Sequence, residues 1–276
     1  GFKVSVVTNE HVYNEFSSGS PDIVAIRDFA RLLYNRPEKG NKLRYLLLFG
    51  DGSYDFKDRI PKNTNKVLAF QTKESINNVN SIASDDFFGL FDSNEGNDAV
   101  GLIDIGIGRF PVNTAEEAKI AVDKCIFYAT NSEANMGDWR NKICFVADDG
   151  DYNLHFRQVE KQILPLINKN APGYNGVKIY LNAIKQISTP SGERAPVANE
   201  AINSNIENGI LTINYTGHGG ETGWAEEGIL SVNMIKDWTN YNNMPIFMTA
   251  TCEFSRFDDP GRVSAGEYAF LNPVGG

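Results

Sequence analysis

Two side chains in the last quarter of the chain can do covalent chemistry, and each stands just past a short apolar run. His218 lies in Gly217-His218-Gly219-Gly220, after Ile210-Leu211-Thr212-Ile213-Asn214. Cys252 follows Pro245-Ile246-Phe247-Met248-Thr249-Ala250-Thr251, 34 residues beyond His218. A thiolate is the nucleophilic form of cysteine. An imidazole near neutrality can take the thiol proton and later give one to a leaving amine. The glycines around His218 let backbone approach a substrate closely. Taken singly, His218 reads equally well as an exposed histidine in a glycine-rich turn, and Cys252 as a buried thiol at a strand end. Together they read as base and nucleophile.

That reading requires two loops to meet. Apolar, β-branched runs bounded by Gly or Pro are the signature of buried parallel strands. In open α/β sheets the loops beyond the carboxyl ends of such strands form the ligand crevice. Along the chain, strands are predicted at 2–7, 45–49 (buried), 67–70, 86–91, 102–108, 143–147, 177–180, 210–214 and 245–250. Helices are predicted at 20–34, 113–130, 154–168, 196–207, 231–238 and 263–271. Strands alternating with helices give an α/β fold with a mostly parallel sheet covered on both faces. The polar stretch 131–141 divides two expected lobes, 1–135 and 136–276. Both ends read as cut from something longer, with a further strand expected after Gly276.

Composition narrows the functional classes. A net charge of −9 without a basic cluster argues against a nucleic-acid partner. No apolar run approaches the roughly 20 residues needed to cross a bilayer. Three cysteines imply no disulfide framework; Cys125 and Cys144 are expected to be buried small hydrophobes. His11 and His155 fall on helical or surface positions and are weaker candidates than His218. No CxxC or HExxH spacing suggests a zinc centre. Asp51-Gly52-Ser53-Tyr54-Asp55 places oxygens at alternate positions, as a polar turn or the start of a calcium loop does. Asp85, Asp86 and Trp224 are candidates to line the crevice, although paired acids in a loop are more often solvated.

His-Gly after one strand and Ala-x-Cys after a later one resembles the caspase–legumain–gingipain group of cysteine peptidases. Asn214-Tyr215-Thr216-Gly217-His218-Gly219-Gly220-Glu221-Thr222-Gly223-Trp224 is similar to the gingipain histidine loop. Segments 45–51, 85–91 and 107–110 extend the likeness over nearly the whole chain. The cysteine segment Thr249-Ala250-Thr251-Cys252-Glu253-Phe254-Ser255-Arg256-Phe257-Asp258-Asp259, with Ser264-Ala265-Gly266-Glu267 and Leu271-Asn272-Pro273, resembles the gingipain-like sortases of the type IX secretion system of Bacteroidetes.

The resemblance implies a two-lobed, caspase-like three-layer sandwich. It implies Cys252 as nucleophile, His218 as acid/base, and backbone N–H groups of Gly219 and Cys252 as oxyanion hole. Trp224 and Glu253 would contact substrate. Gingipains place a carboxylate behind the histidine; in Val146-Ala147-Asp148-Asp149-Gly150-Asp151 the best match is Asp149, with Asp148 second. The loop beyond offers Asn153, Leu154 and His155 and no pocket acid for arginine. No cofactor is required; gingipain domains bind structural calcium, for which Asp51 and Asp55 are weak candidate ligands here, a polar turn being favoured. The implied partners are C-terminal sorting domains of secreted cargo, an anionic lipopolysaccharide acceptor and other type IX secretion components, at the outer-membrane surface. An ordinary secreted endopeptidase and a catalytically silent interaction module are the alternatives.

Overall fold

The computed structural model describes residues 2–37, 41–73, 81–190 and 192–276. The chain forms two compact units. One is Gly1–Ala118 with Phe257–Arg262; the other is Lys119–Arg256 with Val263–Gly276. The division falls ahead of the polar stretch 131–141.

In the first unit, helices α1 (Asn9–Phe16) and α2 (Ile23–Asn35) pack with strand β1 (Tyr45–Phe49), which pairs in parallel with β2 (Gly106–Phe110). Each helix has a capped start: the Thr8 side chain accepts from His11 N, and Asp22 from Val24 N. Val12, Tyr13, Ala25, Ile26, Leu48 and the rings of Phe70, Phe87 and Phe88 form the core. β1 is buried on one face only, since Tyr45, Leu47 and Phe49 are exposed. Two expectations fail here. Residues 2–8 form no strand; Phe2, Val4 and Val6 remain exposed and, among the described residues, no strand pairs with them. The Asp86–Phe91 run is a 3-10 turn, Asp85–Gly89, because the Ser84 side chain caps Asp86 N and starts it as helix. α1 itself was not anticipated.

The second unit carries a four-stranded sheet. After α3 (Ala115–Ala129), whose first residues belong to the first unit, come β3 (Lys142–Ala147), α4 (Gly150–Gln158), α5 (Leu164–Asn170) and β4 (Asn175–Tyr180). Then follow α6 (Pro196–Asn208), β5 (Thr212–Thr216), α7 (Val232–Asp237), β6 (Ile246–Ala250) and α8 (Ala265–Leu271). The strand order is β6-β5-β3-β4, all parallel. Alternation along β3 makes three layers. Cys144 and Val146 pack with Ala198, Ile202 and Ile206 of α6, whereas Phe145 and Ala147 pack with Val159 and Leu164. The helix expected at 154–168 is present, with a π turn at Val159–Ile163, and just before it Asp151, Tyr152 and Asn153 all take left-handed φ.

At the far end of this unit, Lys124 of α3 is buried and its Nζ donates to the carbonyls of Ala269, Phe270, Asn272 and Gly275. One ammonium thereby satisfies carbonyls that α8 leaves open at its C-terminus.

Candidate active site

Register brings the reactive residues together. Ala147, Thr216 and Ala250 lie level on the adjacent strands β3, β5 and β6. Two residues past each of these come Asp149, His218 and Cys252. Neighbouring strands stand about 4.8 Å apart, so segments distant in sequence emerge side by side. The ladders run one residue further, with Asp148 N donating to Thr216 O at 3.1 Å and Gly217 N to Ala250 O at 3.3 Å.

The His218 loop is fixed by its backbone. His218 N donates to Asp148 Oδ2 at 2.8 Å, and its carbonyl accepts from Ala225 N at 2.8 Å and from the Tyr215 hydroxyl at 2.5 Å. Burial, then the Asp148 charge, pushes the Tyr215 hydroxyl far above its usual pKa, so it stays a donor. A Cβ on Gly217 would lie 2.2 Å from Asp148 Cβ, and one on Gly219 would lie 2.5 Å from Thr251 Oγ1. Only glycine permits these approaches. Tyr215 stacks on Trp224 with centroids 4.5 Å apart, and Trp224 meets Phe254 at 5.4 Å. This aromatic column ties the histidine loop to the cysteine loop, each pair adding about 0.5–1.5 kcal/mol beyond burial.

Cys252 is free and exposed. Glu253 beside it is exposed and adopts left-handed φ. The loop is pinned from behind. Gly266 N donates to Phe254 O and Ala265 N to Glu221 O, while Arg256 pairs with Glu221 at 2.6 Å. A capping box of Ser264 and Glu267 fixes the start of α8. The other thiols differ. Cys144 is buried and burial pushes it up to about 12; Cys125, expected to be buried, is exposed on α3, although partial burial still raises its pKa.

The carboxylate hydrogen-bonded to the His218 ring is that of Asp151, 3.1 Å from Nε2. Asp149, the carboxylate expected there, accepts instead from Gln186 Nε2 at 2.8 Å. Asp148, the second choice, is buried and supports the backbone of His218 and Gly150. The left-handed run 151–153 turns the chain at Asp151, and no apolar pattern foretells such a turn. The short Asp-Asp-Gly-Asp run was the one available signal. Gly150 lies under the ring, where a Cβ would meet His218 Cδ2 at 2.9 Å.

Other expectations change as well. The Trp224 side chain is fully buried and cannot present its ring to a substrate, although the residue borders an open cavity of about 640 Å³ beside His218. Gly219, Thr222, Ala225, Glu226 and Val232 also line that cavity. Asp85 belongs to the first unit's interior and holds the Arg109 guanidinium through two bonds of 2.7 and 2.8 Å. Asp51 is buried, accepts from Asn113 Nδ2 and Gly52 N, and has its pKa raised by burial. Asp55 accepts from Arg59 N and Ile60 N, which occupies one carboxylate oxygen.

Among the described residues, two clusters have the donor types of a metal site. Asp148, His155 and His218 each offer an atom within 4.8 Å of the others, as do Asp148, Asp149 and Glu227. Burial raises the Glu227 pKa, with the charges of Asp149 and Asp148 adding to it. Among the described residues, no helix is long and apolar enough to cross a membrane.

The chain is 26% identical over 228 residues to Gingipain R2 of Porphyromonas gingivalis, an alignment covering 83% of this chain and 26% of that protein. Gingipain R1 of the same organism is also 26% identical over 228 residues, covering 83% of the chain and 19% of the relative. The chain thus spans about a quarter or less of the length of these relatives. The crystal structure of the Arg-specific cysteine proteinase gingipain R (RGPB) superposes with a TM-score of 0.67 at 23% identity, covering 95% of this chain and 53% of that one. The architecture is therefore the caspase-like α/β fold of the gingipains. With residues 1–276 matched by the model of Peptidase family C25, the chain belongs to that family.

Proposed function

We propose that this chain is the catalytic core of a cysteine peptidase that works through a Cys252 thioester. The observation that carries this reading is the level emergence of His218 and Cys252 from adjacent parallel strands. His218 takes the Cys252 proton, and the sulfur attacks the scissile carbonyl. The oxyanion is met by the N–H groups of Gly219 and Cys252, each worth about 3 kcal/mol by analogy with other acyl-transfer sites. Collapse breaks the C–N bond, the His218 imidazolium protonates the departing amine, and the acyl group remains on sulfur. Asp151 orients the imidazole. Glu253 faces the substrate, and Asp149, with Gln186, braces the loop from which Asp151 projects.

The acceptor decides the biological role. We infer a sortase, because the Cys252–Asp259 loop resembles that of PorU, the gingipain-like sortase of the type IX secretion system. In that role the enzyme sits at the outer-membrane surface with other type IX secretion components. It removes C-terminal sorting domains from exported cargo and passes the acyl group to an amine of an anionic lipopolysaccharide. Structural calcium at Asp51 and Asp55 belongs to this reading but takes no part in the chemistry. The two lobes, 1–135 and 136–276, would be tested by expressing them separately.

The experiment is intact-mass analysis of a cargo protein carrying a sorting domain. It is incubated with the full-length enzyme, with and without an added amine, beside Cys252→Ala. Cargo that gains the amine's mass only with intact Cys252 supports the sortase. Addition of water alone, even at high amine, leaves a plain endopeptidase.

A further inference from the structure

The environment of His155 is chemically incomplete. Its side chain is 14% exposed, and both ring nitrogens are buried without a hydrogen-bond partner. Yet it stands edge-on to His218, with ring centroids 5.4 Å apart. One carboxylate oxygen lies near both rings, Asp151 Oδ2 standing 3.1 Å from His218 Nε2 and 3.5 Å from His155 Nε2. Two ligand atoms around a tetrahedral zinc with bonds of about 2.0 Å are separated by about 3.3 Å. Asp148 supplies a further oxygen, within 4.8 Å of a nitrogen on each histidine.

We propose that His155, His218 and Asp151, backed by Asp148, form a site for a borderline divalent transition cation, with Zn²⁺ as the type. Two imidazoles with carboxylate oxygens suit such a cation, whereas calcium and magnesium favour oxygen-only shells. The His218 side chain is 53% exposed, which gives the ion a path from solvent. Bound there, the ion takes the Nε2 that otherwise bonds Asp151 and, as a cation on the ring, lowers the basicity of Nδ1, the nitrogen left to accept a proton. The site thus acts as a reversible brake, a consequence that rests on the peptidase reading, whereas the binding itself does not.

The test uses the full-length protein carrying Cys252→Ala, so that no thiolate at that position contributes to binding. Zn²⁺ is titrated calorimetrically and Co²⁺ by its visible absorption. One ion per chain is expected at the site, weakened at least about tenfold by His155→Gln and by Asp151→Asn. Asp151 is half-exposed, so its variant reports even if His155→Gln misfolds. Unchanged Zn²⁺ affinity in both variants overturns the site, as does displacement of Zn²⁺ by equimolar Ca²⁺. With Cys252 intact, each variant is compared with its own metal-free rate, and His155→Gln is expected to need at least about tenfold more Zn²⁺ for half-inhibition. Zinc binding with no turnover in metal-free wild type would defeat the peptidase reading while leaving the site standing.

Discussion

Asp151 reaches Nε2 of His218 from a half-exposed position, and that exposure limits its contribution through solvent screening. Asp151→Asn is therefore expected to lower kcat/KM by about tenfold, equivalent to about 1.4 kcal/mol. Asp149→Asn should lower it less, because that carboxylate bonds Gln186. The opposite ranking would return the third role to Asp149. Glu227 supports a pH prediction. Its folded pKa lies above the ordinary 4.5, so the native state keeps the proton longer than the unfolded chain does. Stability then falls as pH rises through that window. Glu227→Gln removes the loss, so in chelator its Tm should exceed that of wild type at pH 7 and converge with it below pH 4.5. A higher wild-type Tm at pH 7 would contradict this.

At the scale of elements, the histidine and cysteine loops hold each other through Tyr215, Trp224 and Phe254. Phe254→Ala should cost about 3–5 kcal/mol of stability in urea unfolding. Gly217→Ala acts differently, since its Cβ would press on Asp148 and the Tyr215 hydroxyl. It should displace His218 and reduce turnover more than it lowers Tm; equal losses would make Gly217 merely structural. The strands bearing these loops were legible because β-branched runs closed by glycine or proline are local patterns. α1 was not, because it is only eight residues long, with Val12, Tyr13 and Phe16 as its apolar residues, and its start depends on one Thr8 cap.

Across the whole molecule, Asp85, a candidate for the crevice, proves to be framework. Arg109 is almost wholly buried and donates to Gly50, Val67 and Leu68 carbonyls as well as to Asp85. Asp85→Ala leaves that guanidinium without its carboxylate and should cost about 3–5 kcal/mol. Turnover of the molecules that remain folded should be nearly unchanged, as measured by active-site titration. A selective loss of kcat would put Asp85 back in the crevice. Phe257–Arg262 packs with the first unit, as Phe257 under Arg109 shows, although it continues directly from the cysteine loop.

The sequence by itself determined the α/β alternation, the two strand ends and the placing of His218 and Cys252 just past them. Each rests on patterns a few residues long, which backbone sterics and burial translate directly into structure. The tertiary structure alone decided which acid meets the imidazole, that Trp224 is buried under the loops, and that Asp85 serves Arg109. Those outcomes depend on strand register, on three successive left-handed residues and on side chains from distant segments competing for the same volume. None of these leaves a periodic trace along the chain.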